Sequence, residues 1–282
     1  MIETFERLRL YALFASVPYA LLWSHALIDD APGAASALFV ATHALGVLLL
    51  MLCADRADEQ RTGRRTLALW RFPLGEREHA NPVALPVLAL LTLVSGVALI
   101  IAAPALGLAS AVVLALGLWQ ATRDTRRKLV MVELLAPLGV LIVPMLLLSV
   151  FGPGVDRDDS PARTVAIGAT LLGATLLGLT LLMCLLRDQP TDALTGVRTT
   201  ATNLGRRGAT RLAWVWIVAA VLLSAMGASW GWWGWVVSAG IALAGLASGP
   251  AFARGAWERA VILWTLALWV AGLSFLAQAL AW

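Results

Sequence analysis

Apolar residues along the chain come in long uninterrupted runs separated by short polar segments, without the sustained polar face of a surface helix. Runs of that length can cross roughly 30 Å of hydrocarbon while every backbone group is hydrogen-bonded within its own helix. They predict helices at about Leu10–Ile28, Ala34–Cys53, Val83–Ala103, Ala105–Trp119, Leu129–Phe151, Val165–Leu186, Leu212–Ala228, Gly231–Ala247 and Ala260–Leu280. Little more than Pro104 separates the third from the fourth. The expected architecture is all-α, a polytopic membrane protein of nine transmembrane helices, with eight spans as the alternative count. Residues 1–282 are expected to form a single transmembrane domain.

Composition agrees with that pattern: 60% of residues are hydrophobic and 13% charged, which leaves no stretch for a soluble domain. Charge then orients the bundle, because cytoplasmic loops hold the excess of Lys and Arg. With nine spans, 19 of the 21 basic residues fall on one side, and only Arg157 and Arg163 lie opposite. The expected location is the cell (inner) membrane. The N-terminus is placed inside, Trp282 outside, and the acidic Asp156, Asp158, Asp159 segment in an external loop.

Glu3 and Glu6 interrupt the region before the first apolar run, so that run is expected to stay as a helix instead of being cleaved as a signal peptide. Cys53 and Cys184 fall near cytoplasmic helix ends, where reducing conditions argue against a disulfide. A pI near 9.8 arises from basic residues spread along membrane-adjacent loops, where they serve topology and anionic headgroups. Nucleic acid is therefore excluded as a partner.

Polar residues concentrate in three cytoplasmic loops, about 54–82, 120–128 and 187–211. The last contains LRDQPTDALTGVRTTATNLG, from Leu186 to Gly205. Its Asp188 and Asp192 are four apart, so a helix continuing through them would project both carboxylates from one face, able to share Mg²⁺. Gly196, Arg198, Thr199 and Thr200 add backbone freedom, a fixed cation and hydroxyl donors suited to a diphosphate. The first loop repeats this logic: Asp55 and Asp58 lie three apart directly after the second apolar run, followed by Arg61, Arg64, Arg65 and Arg71. The middle loop adds Arg123, Arg126, Arg127 and Lys128, with Glu133 one turn inside the next helix. No P-loop spacing occurs, which turns the phosphate reading away from ATP and towards a lipid-soluble substrate such as an isoprenoid diphosphate.

The residues Arg187, Asp188, Asp192, Gly196, Arg198, Thr199, Leu204 and Gly205 resemble the second aspartate motif of the UbiA-type intramembrane prenyltransferase superfamily. The first motif is less close: where that family shows Asn and a further Asp, this chain has Ala54 and Thr62 around the retained Asp55 and Asp58. Arg71-Phe72-Pro73-Leu74-Gly75 is similar to an Arg-Pro-Leu-containing segment of the family.

The resemblance implies a nine-helix UbiA-type bundle and a Mg²⁺-dependent transferase. Asp55, Asp58, Asp188 and Asp192 would hold the metal and be the catalytic carboxylates, while Arg64, Arg65, Arg127, Lys128 and Arg198 would bind the diphosphate. The substrate would be a polyprenyl diphosphate and the acceptor an aromatic or quinone-precursor molecule, since the LRD and GVRT portions look most like members that prenylate such precursors. Two alternatives stand beside it. A terpene cyclase would quench the allylic cation internally, and a non-catalytic homologue or transporter would reuse the bundle.

Aromatic faces can stabilise a cation. Trp230, Trp232, Trp233 and Trp235 nevertheless fall at the outer interface, where an aromatic belt is expected, and Trp70 and Trp119 lie nearer the aspartate loops. His25 and His43 are intramembrane ionisable groups, read as hydrogen-bonded in the bundle interior in preference to a proton relay.

Overall fold

The computed structural model of the protein describes residues 17–24, 33–62, 84–122, 131–151, 161–196, 198–227 and 232–281. Among the described residues every regular element is helical. A short α1 occupies residues 17–24, followed by α2 (Ala34–Thr62), α3 (Ala84–Ala102) and α4 (Pro104–Thr122). The fifth element, α5, is built of an α segment Val132–Pro137, a π-helical turn Leu138–Ile142 and a second α segment Val143–Phe151. Then come α6 (Pro161–Thr195), α7 (Thr200–Gly227), α8 (Trp232–Ala253) and α9 (Trp257–Ala281).

Six of these, α3 and α5 to α9, are long and apolar enough to cross a membrane. α2 and α4 contain shorter apolar stretches, Ala34–Leu50 and Pro104–Trp119. Most of the first expected span lies outside the described residues, so six clear spans and two shorter apolar helices stand where nine spans were expected.

Several helix ends depart from the sequence reading, all in the same direction. α2 continues nine residues past Cys53 to Thr62, α6 continues past Leu186 to Thr195, and α7 begins at Thr200 instead of Leu212. Hydropathy marks where a helix leaves hydrocarbon, whereas the helix itself stops only where backbone hydrogen bonding stops. Arg, Asp, Gln and Thr are tolerated in helices. The segment expected as the loop 187–211 is thus mostly helix, with Gly196–Thr199 as the connection.

Lipid supplies no hydrophobic force between apolar helices, so close packing and internal hydrogen bonds must hold them together. α6 is the central element: 89% of an 18-residue apolar segment within Arg163–Pro190 is buried, and it packs against α5, α7 and α9. Gly173 admits the Tyr19 ring of α1. At Gly178 an added Cβ would sit 2.5 Å from the Glu133 carbonyl oxygen and 2.6 Å from the Trp216 ring, so this glycine sets the α5–α6–α7 crossing. Two buried indoles are tied across helices: Trp23 Nε1 donates to Thr170 Oγ1 at 2.7 Å, and Trp264 Nε1 donates to Ser248 Oγ at 2.9 Å.

α2, α3 and α4 pack on one another as a second group. The chain reverses sharply at Ala103–Pro104, and Gly107 lies so near α3 that a Cβ there would stand 2.6 Å from the Ile100 Cα.

Candidate functional site

The polar end of α6 carries the aspartate pair. Because α6 runs unbroken to Thr195, Asp188 and Asp192 stand one turn apart on the same helix and project from one face. Pro190 lies between them and brings no backbone N–H, so it leaves the carbonyl one turn earlier free of its intrahelical bond. The two carboxylates differ in surroundings. Asp192 is 2% exposed, whereas the Asp188 side chain is 32% exposed.

Asp188 is held by its neighbour. Arg187 Nε donates to Oδ1 at 2.7 Å and Nη2 donates to Oδ2 at 2.8 Å, a two-point fork that fixes the carboxylate plane. Glu258, in the first turn of α9, adds its negative charge to the field around the same guanidinium. A carboxylate has about four lone-pair positions, so the fork leaves Asp188 capacity for a further cation.

Beyond Asp192 the backbone must turn. Gly196 has φ 71° and ends α6 in the left-handed conformation that only glycine adopts without strain. Gly205, at φ 67° and ψ 167°, interrupts α7 after one turn. A Cβ would meet nothing within 4 Å at either position, so both glycines are required by conformation and not by space.

Between them sits a capped helix start. The Thr202 N–H donates to Thr199 Oγ1 at 3.1 Å and the Thr199 N–H donates to Thr202 Oγ1 at 2.7 Å, a reciprocal cap. Gln189 Nε2 donates to the Ala201 carbonyl at 2.9 Å and ties this start back to α6. Thr200 Oγ1 receives the Met131 N–H at 2.8 Å and donates to Glu133 Oε2 at 3.0 Å. Met131 is the N-cap of α5 with φ 63°, and Glu133 is 1% exposed in the first turn, where the helix dipole favours an anion.

The hydroxyls of Thr199 and Thr200, expected as diphosphate donors, are therefore spent on the cap and on Glu133. They build the connection that presents the aspartate pair. What motif spacing did not reveal are the partners that Glu133, Arg187 and Gln189 take here, although Arg187 stood in the second motif and Glu133 beside the middle loop. The adjacency of Arg187 and Asp188 was the available signal for one of them. For Glu133, more than sixty positions from Thr200, there was none.

Arg198 is exposed at the same connection. Asp55 and Asp58 stand on the helical end of α2, and the surroundings of their side chains lie outside the described residues. Arg64, Arg65, Arg127 and Lys128 also lie outside them, as do Arg71–Gly75, Trp70, His25 and the 156–159 segment. Among the described residues, no three His, Cys, Asp or Glu side chains converge as a metal cluster. The pair on α6 supplies hard oxygen donors of the type Mg²⁺ takes, which fits that ion as part of a larger ligand set.

No protein-family model matches the chain. No curated protein matches it either. Among solved structures, the apo form of a UbiA homolog from Aeropyrum pernix K1 aligns with a TM-score of 0.62 over 95% of this chain and 98% of that one. The chain has the UbiA-type fold. Sequence identity over the alignment is 16%, so the likeness is one of architecture.

In this chain the polar end of α6 and its capped connection adjoin an apolar bundle. Cys53 and Cys184 are both free thiols. Trp119 is 51% exposed and Trp235 is 66% exposed, on faces available to lipid.

Proposed function

We propose that the protein is a Mg²⁺-dependent intramembrane prenyltransferase of the UbiA type. It would move an isoprenoid chain from a polyprenyl diphosphate to an aromatic or quinone-precursor acceptor. The observation that carries the reading is the continuation of α6 through Asp192, which keeps Asp188 and Asp192 on one face at the polar end of the bundle.

Asp188 and Asp192, with Asp55 and Asp58 from α2, form the carboxylate set. Mg²⁺, when bound there, supplies neutralisation of the diphosphate oxygens. Arg198 and, from their sequence positions, Arg64, Arg65, Arg127 and Lys128 provide fixed positive charge where negative charge builds on the departing diphosphate. The C–O bond breaks with its electron pair leaving on diphosphate. The acceptor ring then forms the new bond to the allylic carbon and releases a proton. The apolar interior of the bundle shields the cation from water. Arg187 keeps the Asp188 carboxylate in one plane, and the Thr199–Thr202 cap with the Thr200–Glu133 bond holds the connection beside Asp192.

The test is pyrophosphate release by the solubilised protein from geranyl, farnesyl or geranylgeranyl diphosphate, with and without aromatic acids or quinone precursors. Mg²⁺-dependent release that requires an acceptor, and yields a prenylated ring by mass spectrometry, supports the proposal. Release without acceptor, accompanied by a cyclic hydrocarbon or terpene alcohol, would replace it with a terpene cyclase. No release with any substrate would leave a non-catalytic use of the fold.

A further inference from the structure

A cavity of about 500 Å³, including its mouth, lies between α2, α4 and α5, away from the aspartate pair. Its walls are almost wholly apolar, the lining common to small-molecule sites. Three polar atoms interrupt that lining. Thr42 Oγ1, His43 Nε2 and Ser110 Oγ are buried with no hydrogen-bond partner among the described residues.

Their state contrasts with that of several other hydroxyls in the bundle, although those of Tyr19 and Ser36, outside the cavity, are likewise without a partner among the described residues. Thr92, Thr170, Thr180 and Ser248 each donate to the carbonyl four residues earlier, between 2.6 and 2.8 Å. That local bond is the cheap way to satisfy a hydroxyl in an apolar helix, and leaving one unmade is costly. Thr42, itself 7% exposed, and Ser110 do not make it.

His43 is held in place by other contacts. Its ring stacks on Phe39 with centroids 6.1 Å apart and planes at 9°, and meets Trp23 edge-on at 5.8 Å. One hydrogen bond runs from the ring to the backbone of Val140, which lies in the π-helical turn of α5. A neutral imidazole that donates at one nitrogen accepts at the other. Nε2 is thus a lone-pair site that needs a donor from the cavity, while Thr42 and Ser110 can donate or accept. A hydroxyl, which donates one proton and accepts two, matches this set. A ketone or a bare hydrocarbon does not.

We propose that this cavity binds a neutral, lipid-soluble alcohol or phenol, with its hydroxyl among Thr42, His43 and Ser110. The ligand enters from the bilayer beside Gly139, an exposed glycine in the π-helical turn where an added Cβ would meet nothing within 4 Å. The site is distinct from the one at which prenyl transfer is proposed. His43 precedes Asp55 by twelve residues on α2, or roughly 18 Å along the axis at 1.5 Å per residue. A ring whose hydroxyl rests on His43 is too far from the aspartates to react there. An isoprenoid tail has no hydroxyl to offer.

The experiment titrates 1-naphthol and 1-methylnaphthalene, which share an apolar body and differ by hydroxyl against methyl. The protein is held in lipid nanodiscs, with empty nanodiscs as the partition control and naphthalene fluorescence as the readout. Wild type should bind the naphthol about tenfold more tightly than the hydrocarbon, the effect of one or two satisfied hydrogen bonds. His43→Phe, which keeps a ring against Phe39, should remove that preference while still binding both weakly. Gly139→Leu should weaken both probes, and Asp192→Asn should change neither. If His43→Phe fails to fold, Thr42→Val combined with Ser110→Ala decides the matter by the same loss of preference. Equal binding of the two probes by wild type, or a hydroxyl preference that survives these variants, would overturn the proposal.

Discussion

α3 and α6 are comparably apolar helices, yet 11% of the Leu85–Ala102 stretch of α3 is buried against 89% of an 18-residue apolar segment within Arg163–Pro190 of α6. In water such a difference would be written as polar against apolar faces. In a membrane the outer face is as greasy as the inner one, so hydropathy is silent about which helix is central. What separates the two is small residues and what lies at the ends. α6 carries Gly173 and Gly178 where Tyr19, Trp216 and the Glu133 backbone approach, and it continues into Arg187, Asp188 and Asp192. α3 presents Leu90, Leu93 and Ile101 outward, between 59% and 77% exposed. The helix that bears the candidate chemistry is also the one whose position is fixed on every side.

Substitutions on the two helices should therefore diverge. The largest effect is expected for Asp192→Asn, which removes a buried charge from the carboxylate set. Pyrophosphate release should fall by roughly 10²-fold or more, measured with the thermal midpoint unchanged to within a few degrees. Next, Leu177→Ala, at a position fully buried on α6, should cost about 2–4 kcal/mol of stability through the cavity it leaves. Denaturant or thermal unfolding in detergent would check it.

Thr200→Val should cost about 1–3 kcal/mol, because it strips the Glu133 carboxylate and the Met131 N–H of their shared partner. If the connection matters for the site, activity should fall more than stability does, and Thr200→Ser should restore both. Leu93→Ala on α3, at a residue 64% exposed, should change stability by less than about 0.5 kcal/mol. A large loss there would mean that α3 is covered by something other than lipid.

Much of the bundle was legible from the sequence because apolar runs of span length admit few structures other than helices. Eight of the nine expected runs coincide with described helices, and residues 17–24 fall within the ninth. The ends were less legible, since hydropathy drops at Cys53 and Leu186 while the helices run on to Thr62 and Thr195. That error concealed a point in the site's favour: the aspartate pair needed a continuing helix, and it has one. The glycines of the second motif were legible in kind, and their positive φ values give the reason they are glycines.

Other features could not be read. Glu133 reaches Thr200 across 67 positions, and His43, Thr42 and Ser110 meet at one cavity from two helices. Such contacts are fixed by how helices cross and not by any spacing along one of them.

The central claim is that the α6 carboxylates hold a divalent cation against a diphosphate. Electron paramagnetic resonance of Mn²⁺, used in place of Mg²⁺, tests it in the presence of a non-hydrolysable geranyl thiodiphosphate. Wild type should bind Mn²⁺ only when the diphosphate is present, and Asp188→Asn and Asp192→Asn should each weaken that binding at least about tenfold, equivalent to roughly 1.4 kcal/mol. Mn²⁺ binding that is unchanged in both folded variants would contradict the account.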